Sequence, residues 1–466
     1  MIEIQIAGAG AGKTYGLAER ILDRLSKNPT DRKIFALTYT NAAKVKIESE
    51  IIKQNGSIPD VLTIETVHSF FLNEIIYPFS SYTIDQIYND ASVIPLSPTP
   101  RYKAFAIKRL KDQYIIHAEK VYEVAKQIID ETNSKHTNKK KRARVSHACS
   151  LLNTCMDSIF IDEIQDLDSH ALRCFEVLGA LDISVYMIGD PKQAIKWPKD
   201  FDDFIKQCGS GDSCSVKILP ANNFSRRVPS EILQQSNRFC YVGQEQKSLR
   251  KEKGQVCYIE SIDDNYEKFL GKHISKGSIV CIDKKNGDYD THTSNSSQCL
   301  PRSIEDKLKN SIHKGKKDER LFINSVCQEF YDQALNKSTK SAISNLIKSC
   351  QLDLDKSEFA QLCEMGNALQ SSCKNSKFQI QSIDAVKGLE SETCIFVLSQ
   401  NSLNYFLGNI DESKHFNKEW KKIYVALTRA KKLLILALDH KLLKKQNIAS
   451  IKDAIENLGI PKFQYE

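Results

Sequence analysis

Short apolar runs occupy residues 2–7, 33–38, 61–65, 159–162 and 184–189, and polar stretches with helical spacing follow several of them. Alternation of strand and helix at this scale predicts a parallel sheet covered on both faces. Between Phe70 and Ile159 the spacing turns helical, above all in "RYKAFAIKRLKDQYIIHAEKVYEVAKQIIDET" from Arg101 to Thr132, which reads as a helical insert. It ends in "KHTNKKKRARVSH", where Lys139, Lys140, Lys141, Arg142 and Arg144 form the densest basic run of the chain. Two readings of that run stay open, a solvated loop and a contact to nucleic-acid phosphates. A second series of apolar runs, "QVCYIE", "GSIVCI", "TCIFVLS" and "LLILAL", predicts a second α/β sheet. It is interrupted by the turn-rich "DTHTSNSSQCLPRS" and by amphipathic helix from Lys307 to about Lys374, which read together as a small helical insert. No fixed-period repeat is visible.

A chain of 466 residues has room for about three domains. With 41% hydrophobic and 27% charged residues, and no apolar run approaching the roughly 20 residues of a membrane helix, the composition is that of a soluble globular protein. The first residues, "MIEIQIAGAG", show no basic leader or cleavage site, so the expectation is a cytoplasmic protein. Fourteen cysteines without a C-x-x-C pair read as buried thiols. His147, Cys149 and Cys155 come nearest to a metal cluster, with spacing that suits a tetrahedral site poorly. The net charge of +8 favours a polyanionic partner only weakly.

Candidate chemistry starts at "AGAGAGKT", residues 7–14, between the first apolar run and the helical "TYGLAERILDRL". A glycine-rich turn between strand and helix lets backbone N–H groups close around phosphate oxygens. Ala7 stands where the strict form of this motif has its first glycine, but Gly8, Gly10 and Gly12 still supply the turn. Lys13 would meet the β and γ phosphates, and Thr14 a magnesium ion. "SIFIDEIQD" supplies acids at the end of a buried apolar run. Asp162 would hold the magnesium, and Glu163 would orient and deprotonate the attacking water. Two carboxylates at one strand tip are costly to bury without a cation.

Seven segments, "AGAGAGKT", "ALTYTNAA", "TVHSF", "DEIQD", "GDPKQAI", "SIDAVKGLE" and "YVALTRAKK", resemble in order the motifs of the UvrD/Rep/PcrA type of superfamily 1 helicases, from Ala7 to about Lys432. The resemblance implies two RecA-like P-loop domains with parallel sheets, each interrupted by a mostly helical insert. The first would comprise 1–75 and 146–220 with insert 76–145, the second 221–290 and 375–466 with insert 291–374. It implies ATP and Mg2+ as cofactors, with the nucleotide between the two sheets. Gln193 would sense the terminal phosphate, Arg429 would be the arginine finger, and Glu390 would hold the ribose. Arg227 would be a second phosphate-contacting arginine, with Arg226 as the competing register. For a nucleic-acid strand, Tyr39 and Trp197 offer stacking faces, Thr40 and Asn41 polar contacts, and Thr66 and His68 phosphate contacts.

Four departures carry expectations of their own. The family usually has a glutamine-bearing segment ahead of the cradle that reads adenine; Met1 leaves no space for it here, so base selectivity stays open. Asp384 stands where the family has histidine, "KQAIKWPKD" is one residue short before its aromatic, and the second insert is small. The leading expectation is an ATP-dependent single-stranded DNA translocase or helicase moving 3′ to 5′, with a single strand or forked duplex as substrate. The alternative is a reduced, DNA-sensing regulatory subunit of a nuclease, similar to the compact helicase-like components of Gabija-type antiphage systems. A P-loop kinase or transporter ATPase leaves the later motifs unexplained.

Overall fold

The computed structural model describes residues 1–93, 96, 99–136, 138–210, 216–291, 300–311, 319–373, 378–410, 418–443 and 448–465. It is a mixed α/β structure with parallel sheets, consistent with a RecA-like helicase fold. Contacts divide the chain into one unit of Met1–Val256, Lys387–Thr393 and Asn404–Leu434, and another of Cys257–Val386, Cys394–Leu403 and Ile435–Glu466.

In the first unit, strands β1 (Ile2–Ala7), β2 (Lys33–Thr38), β3 (Leu62–Thr66), β4 (Met156–Ile161), β5 (Ser184–Gly189) and β6 (Val216–Asn222) form one sheet in the order β3-β2-β4-β5-β1-β6. Every neighbouring pair is parallel. The apolar runs are continuous because both faces are covered. Phe35, Leu37, Ile159, Ile161, Val185 and Met187 face one core. Their alternating neighbours Ile34, Ala36, Phe160, Tyr186 and Ile188 face the other, against Leu17, Ala18 and Ile21 of helix α1 (Lys13–Lys27) and Ile47 and Ile51 of helix α2 (Asn41–Asn55). Strand β6 carries no comparable apolar signal. It lies at the sheet edge, where exposed residues and Pro220 are tolerated.

The stretch Arg101–Thr132 is not one helix. A helix over Pro100–Asp112 stops at Tyr114, whose φ is 61°, and a short strand Ile115–His117 precedes the helix Val121–Ile129. That strand pairs in parallel with Asp90–Ser92. The basic run is not a loop. It opens helix α3 (Lys139–Cys155), whose first turn is capped by Asn138 accepting from the Lys141 amide. Lys141 and Arg144 both pair with Asp85, leaving Lys139 and Lys140 exposed. His147 Nδ1 meets the Tyr82 hydroxyl and the Cys149 thiol donates to the Ile129 carbonyl, so each has a partner of its own.

The second unit holds most of a sheet in the order β7 (Gln255–Glu260), β11 (Ala430–Leu438), β10 (Ser391–Leu398), β8 (Ile279–Ile282) and β9 (Gln381–Ser382). Strand β8 pairs in parallel with β9 and β10. Helices Arg302–Ser311, Glu319–Asn336, Thr339–Cys350 and Lys356–Cys373 share a separate core that includes Ile304, Leu308, Phe330, Ile343 and Leu362. Most of "DTHTSNSSQCLPRS", and Lys374, lie outside the described residues. No helix among the described residues is long and apolar enough to cross a membrane.

Candidate active site

The turn after β1 is shaped by its glycines. Gly10 and Gly12 have φ of 73° and 78°, in the left-handed region that a Cβ disfavours. Gly12 also caps α1, so Lys13 and Thr14 open the helix. A Cβ on Gly8 would lie 2.4 Å from the carboxamide of Gln246, and one on Gly10 would lie 2.6 Å from Arg227 Cβ and Ser225 Oγ. The alternating glycines therefore admit neighbouring side chains as well as the backbone turn.

Strand β4 delivers the acids. The Asp162 amide continues the sheet ladder by donating to the Leu37 carbonyl at 2.8 Å, and the chain then turns at Glu163 with φ 55°. Thr14 Oγ1 donates to Asp162 Oδ2 at 3.1 Å, and Lys13 Nζ lies 3.7 Å from Glu163 Oε1. Burial first, and then the neighbouring Glu163 charge, push Asp162 above the usual carboxylate range. Burial acts against Glu163 too, but Lys13, Lys387 and the Gln165 amide outweigh it and hold it below its ordinary value. One acid is thus held firmly ionised, while the charge on its neighbour is disfavoured and a cation would relieve it. Two hard oxygen donors, Thr14 Oγ1 and Asp162 Oδ2, are the donor set that suits Mg2+.

Beside these acids, the segment after β5 builds a buried network. Asp190 and Lys192 pair at 2.9 Å, both fully buried. Gln193 donates to Asp190 Oδ2 at 2.9 Å and accepts from Arg429 at 3.2 Å. Arg429, on the segment that follows helix α4 (Lys418–Leu427), is 1% exposed and also donates to the Val425 and Leu389 carbonyls. Lys387 donates to the Gln193 carbonyl at 2.8 Å and pairs with Asp166. Contacts group Lys387, Glu390 and Arg429 with the first unit.

Arg227 pairs with Glu390 at 3.3 Å, and Lys431 holds the other carboxylate oxygen at 2.8 Å. Burial opposes the Glu390 charge, but Lys431 and Arg227 keep it below its ordinary value. Among the described residues, the buried Arg227 Nε has no hydrogen-bond partner. The competing Arg226 lies at the turn as well. Its amide donates to the Gly10 carbonyl at 2.9 Å, and its guanidinium sits 5.9 Å from the ring centre of Tyr15.

The proposed strand-contacting residues divide into groups. Tyr39 and His68 meet edge-on at 6.0 Å, Lys196 lies 4.5 Å over the Tyr39 ring and reaches its hydroxyl, and His68 Nδ1 meets the Tyr122 hydroxyl at 2.8 Å. Burial, helped by Lys196, pushes His68 down to about 4, so at neutral pH it brings hydrogen-bonding capacity and no charge. Thr40 and Thr66 accept from the amides of Ala43 and Ser69 as helix caps. Asn41 is exposed at the first turn of α2, and Trp197 is 38% exposed. Sequence reasoning passed over Lys387, Asp190 and Tyr424 although they stand inside the quoted motifs. Gln246 has no local signal at all.

The family model for the UvrD/REP helicase N-terminal domain matches residues 4–158, and a model described as an AAA domain matches 356–441. With the ordered motifs, these matches show a resemblance to UvrD-type superfamily 1 helicases. The particular resemblance is to Gabija protein GajB from Bacillus cereus (strain VD045), 24% identical over 93% of this chain and 92% of that protein. A stretch covering 17% of the chain is 31% identical to part of one subunit of the ATP-dependent helicase/nuclease of Clostridium botulinum (strain Langeland / NCTC 10281 / Type F), of which it spans 8%. A solved complex of Arterivirus nonstructural protein 10 (helicase) with DNA matches over 93% of this chain and 59% of that one, with TM-score 0.35 and 9% identity.

Proposed function

We propose that the chain is an ATPase that moves on single-stranded DNA, 3′ to 5′. The observation that carries this reading is the meeting of Lys13 and Thr14 with Glu163 and Asp162, beside the Gln193–Arg429 pair. Lys13 and the turn amides would bind the phosphates, and Thr14 and Asp162 would hold Mg2+, which supplies charge neutralisation on the phosphate oxygens. Glu163, kept ionised, would accept a proton from water. Gln193, Arg227 and Arg429 would contact the terminal phosphate as negative charge shifts toward the leaving oxygen. Glu390 would meet the ribose after giving up Arg227. Tyr39, Thr40, Asn41, Thr66, His68 and Trp197 would line the strand path, with Lys196 adding the charge that His68 lacks.

The likeness to GajB over nearly the whole of both chains favours a second reading of the same engine. In that reading the chain is a DNA-sensing subunit that regulates a nuclease partner in antiphage defence. Purified protein, assayed with ATP, single-stranded DNA and a forked duplex, separates the two. ATPase stimulation with fork opening supports the motor, and stimulation without opening supports the sensing role. Absence of ATP hydrolysis with every DNA contradicts both.

A further inference from the structure

The peptide of Ala9, in the middle of the glycine turn, is held on both sides by side chains that none of the roles above employs. Its N–H donates to Gln246 Oε1 at 3.1 Å and to the Tyr424 hydroxyl at 3.3 Å. Its carbonyl accepts from Gln246 Nε2 at 3.0 Å and from Ser225 Oγ at 2.8 Å. One carboxamide thus reads both polar groups of one residue, as a paired strand would. Gln246 is 3% exposed, and Ala9, Ser225 and Tyr424 are fully buried. Loss of the Gln246 carboxamide would leave each of these two Ala9 groups with one partner in place of two, where water cannot make up the difference.

Tyr424 ties this contact to the rest of the site. Its hydroxyl carries one proton and lies within reach of two acceptors, Gln246 Oε1 at 2.6 Å and Asp190 Oδ2 at 3.2 Å. Asp190 in turn accepts from Gln193, which meets Arg429. The turn, the residue proposed to sense phosphate and the proposed finger are therefore joined through one phenol and one carboxamide. Gly8 makes this possible, because any Cβ there would occupy the place of the Gln246 amide.

We propose that Gln246 and Tyr424 are positioning residues for nucleotide binding: they hold the Ala9 peptide and so set the shape of the glycine turn before phosphate arrives. The proposal rests on the ATPase reading above. A loop ordered in advance spends less of its binding free energy on ordering. Loss of either residue therefore weakens nucleotide binding more than turnover.

The test compares Gln246→Met, which fills similar space without polar atoms, and Tyr424→Phe, which removes one oxygen. Each should raise KM for ATP, and Kd for a fluorescent ATP analogue, about fivefold to tenfold, the worth of one buried hydrogen bond. The change in kcat should be smaller, and the double variant should lose more than the product of the two, because it alone strips the Ala9 N–H of both acceptors. A merely structural role would lower the active fraction, and thus kcat, with KM unchanged. Unchanged KM and Kd in both variants overturn the proposal, as does tighter binding, which would make Gln246 a plug in the turn. Should Gln246→Met fail to fold, as judged by its melting transition, Tyr424→Phe decides alone. Wild-type protein that binds no nucleotide overturns the ATPase reading itself, whereas normal wild-type binding with unaltered variants overturns only the positioning role.

Discussion

Glu163 and Asp162 are neighbours with opposite tendencies, and the difference lies in what touches them. At Glu163 the charges of Lys13 and Lys387 and the Gln165 amide outweigh burial, while at Asp162 burial and its neighbour's charge outweigh Lys13, an amide and a hydroxyl. Glu163→Gln should lower kcat at least about a hundredfold while KM for ATP moves little, because a proton acceptor contributes mainly in the transition state. Steady-state ATPase assays check this, and a loss below about tenfold would remove Glu163 from the role. His68 gives a prediction about stability. Its folded value of about 4 lies below the ordinary 6.5, so the unfolded chain binds a proton first as pH falls. Its contribution is fully present above about pH 6.5 and is lost progressively down to about pH 4. His68→Asn, which keeps an acceptor for Tyr122, should show a stability deficit that shrinks by up to about 2 kcal/mol from pH 7.5 to pH 5. Denaturant melts at the two pH values measure it, and a pH-independent deficit would contradict it. Lys13, Thr14, Asp162 and Glu163 could be proposed from sequence because they adjoin a glycine turn or a strand tip of known chemistry, whereas Lys387, Asp190 and Tyr424 stand in the same set of motifs without such a local cue. Gln246 could not be proposed, since its meaning arises only when residues 237 positions apart share a peptide.

At the scale of elements, the buried strands could be read because the two-faced sheet demands unbroken apolar runs. Strand β6 escaped because an edge strand makes no such demand, and the break at Tyr114 escaped because its flanks keep helical spacing on both sides. The acids of the candidate site were legible as a strand tip, whereas the pairing of Arg227 with Glu390 depends on two distant segments. Helix α3 sharpens the question of the basic run. Lys141 is paired with Asp85, so Lys139 and Lys140 are the lysines able to meet phosphates. If they do, replacing both with glutamine should reduce the slope of log affinity against log salt by up to about 1.4 for single-stranded DNA. An unchanged slope would return them to ordinary solvated residues at the start of a helix.

For the whole molecule, the ATP-dependent reading requires that a bound strand changes the chemistry at the glycine turn. The segment after β5 carries both kinds of residue: Asp190 and Gln193 are buried in the phosphate network, while Lys196 and Trp197 are exposed, with Lys196 against Tyr39. Tyr39→Ala should therefore weaken stimulation by DNA, worth about 1–3 kcal/mol if a base stacks there, while basal hydrolysis stays near wild type. A basal rate that falls as far as the stimulated rate would place Tyr39 in the fold instead of the strand path. The most direct measurement is ATP hydrolysis by the wild-type chain and by Lys13→Ala, each with and without single-stranded DNA. The account predicts hydrolysis that single-stranded DNA raises in the wild type and that Lys13→Ala abolishes under both conditions. Equal hydrolysis by the two proteins, or none by the wild type with DNA present, would contradict it.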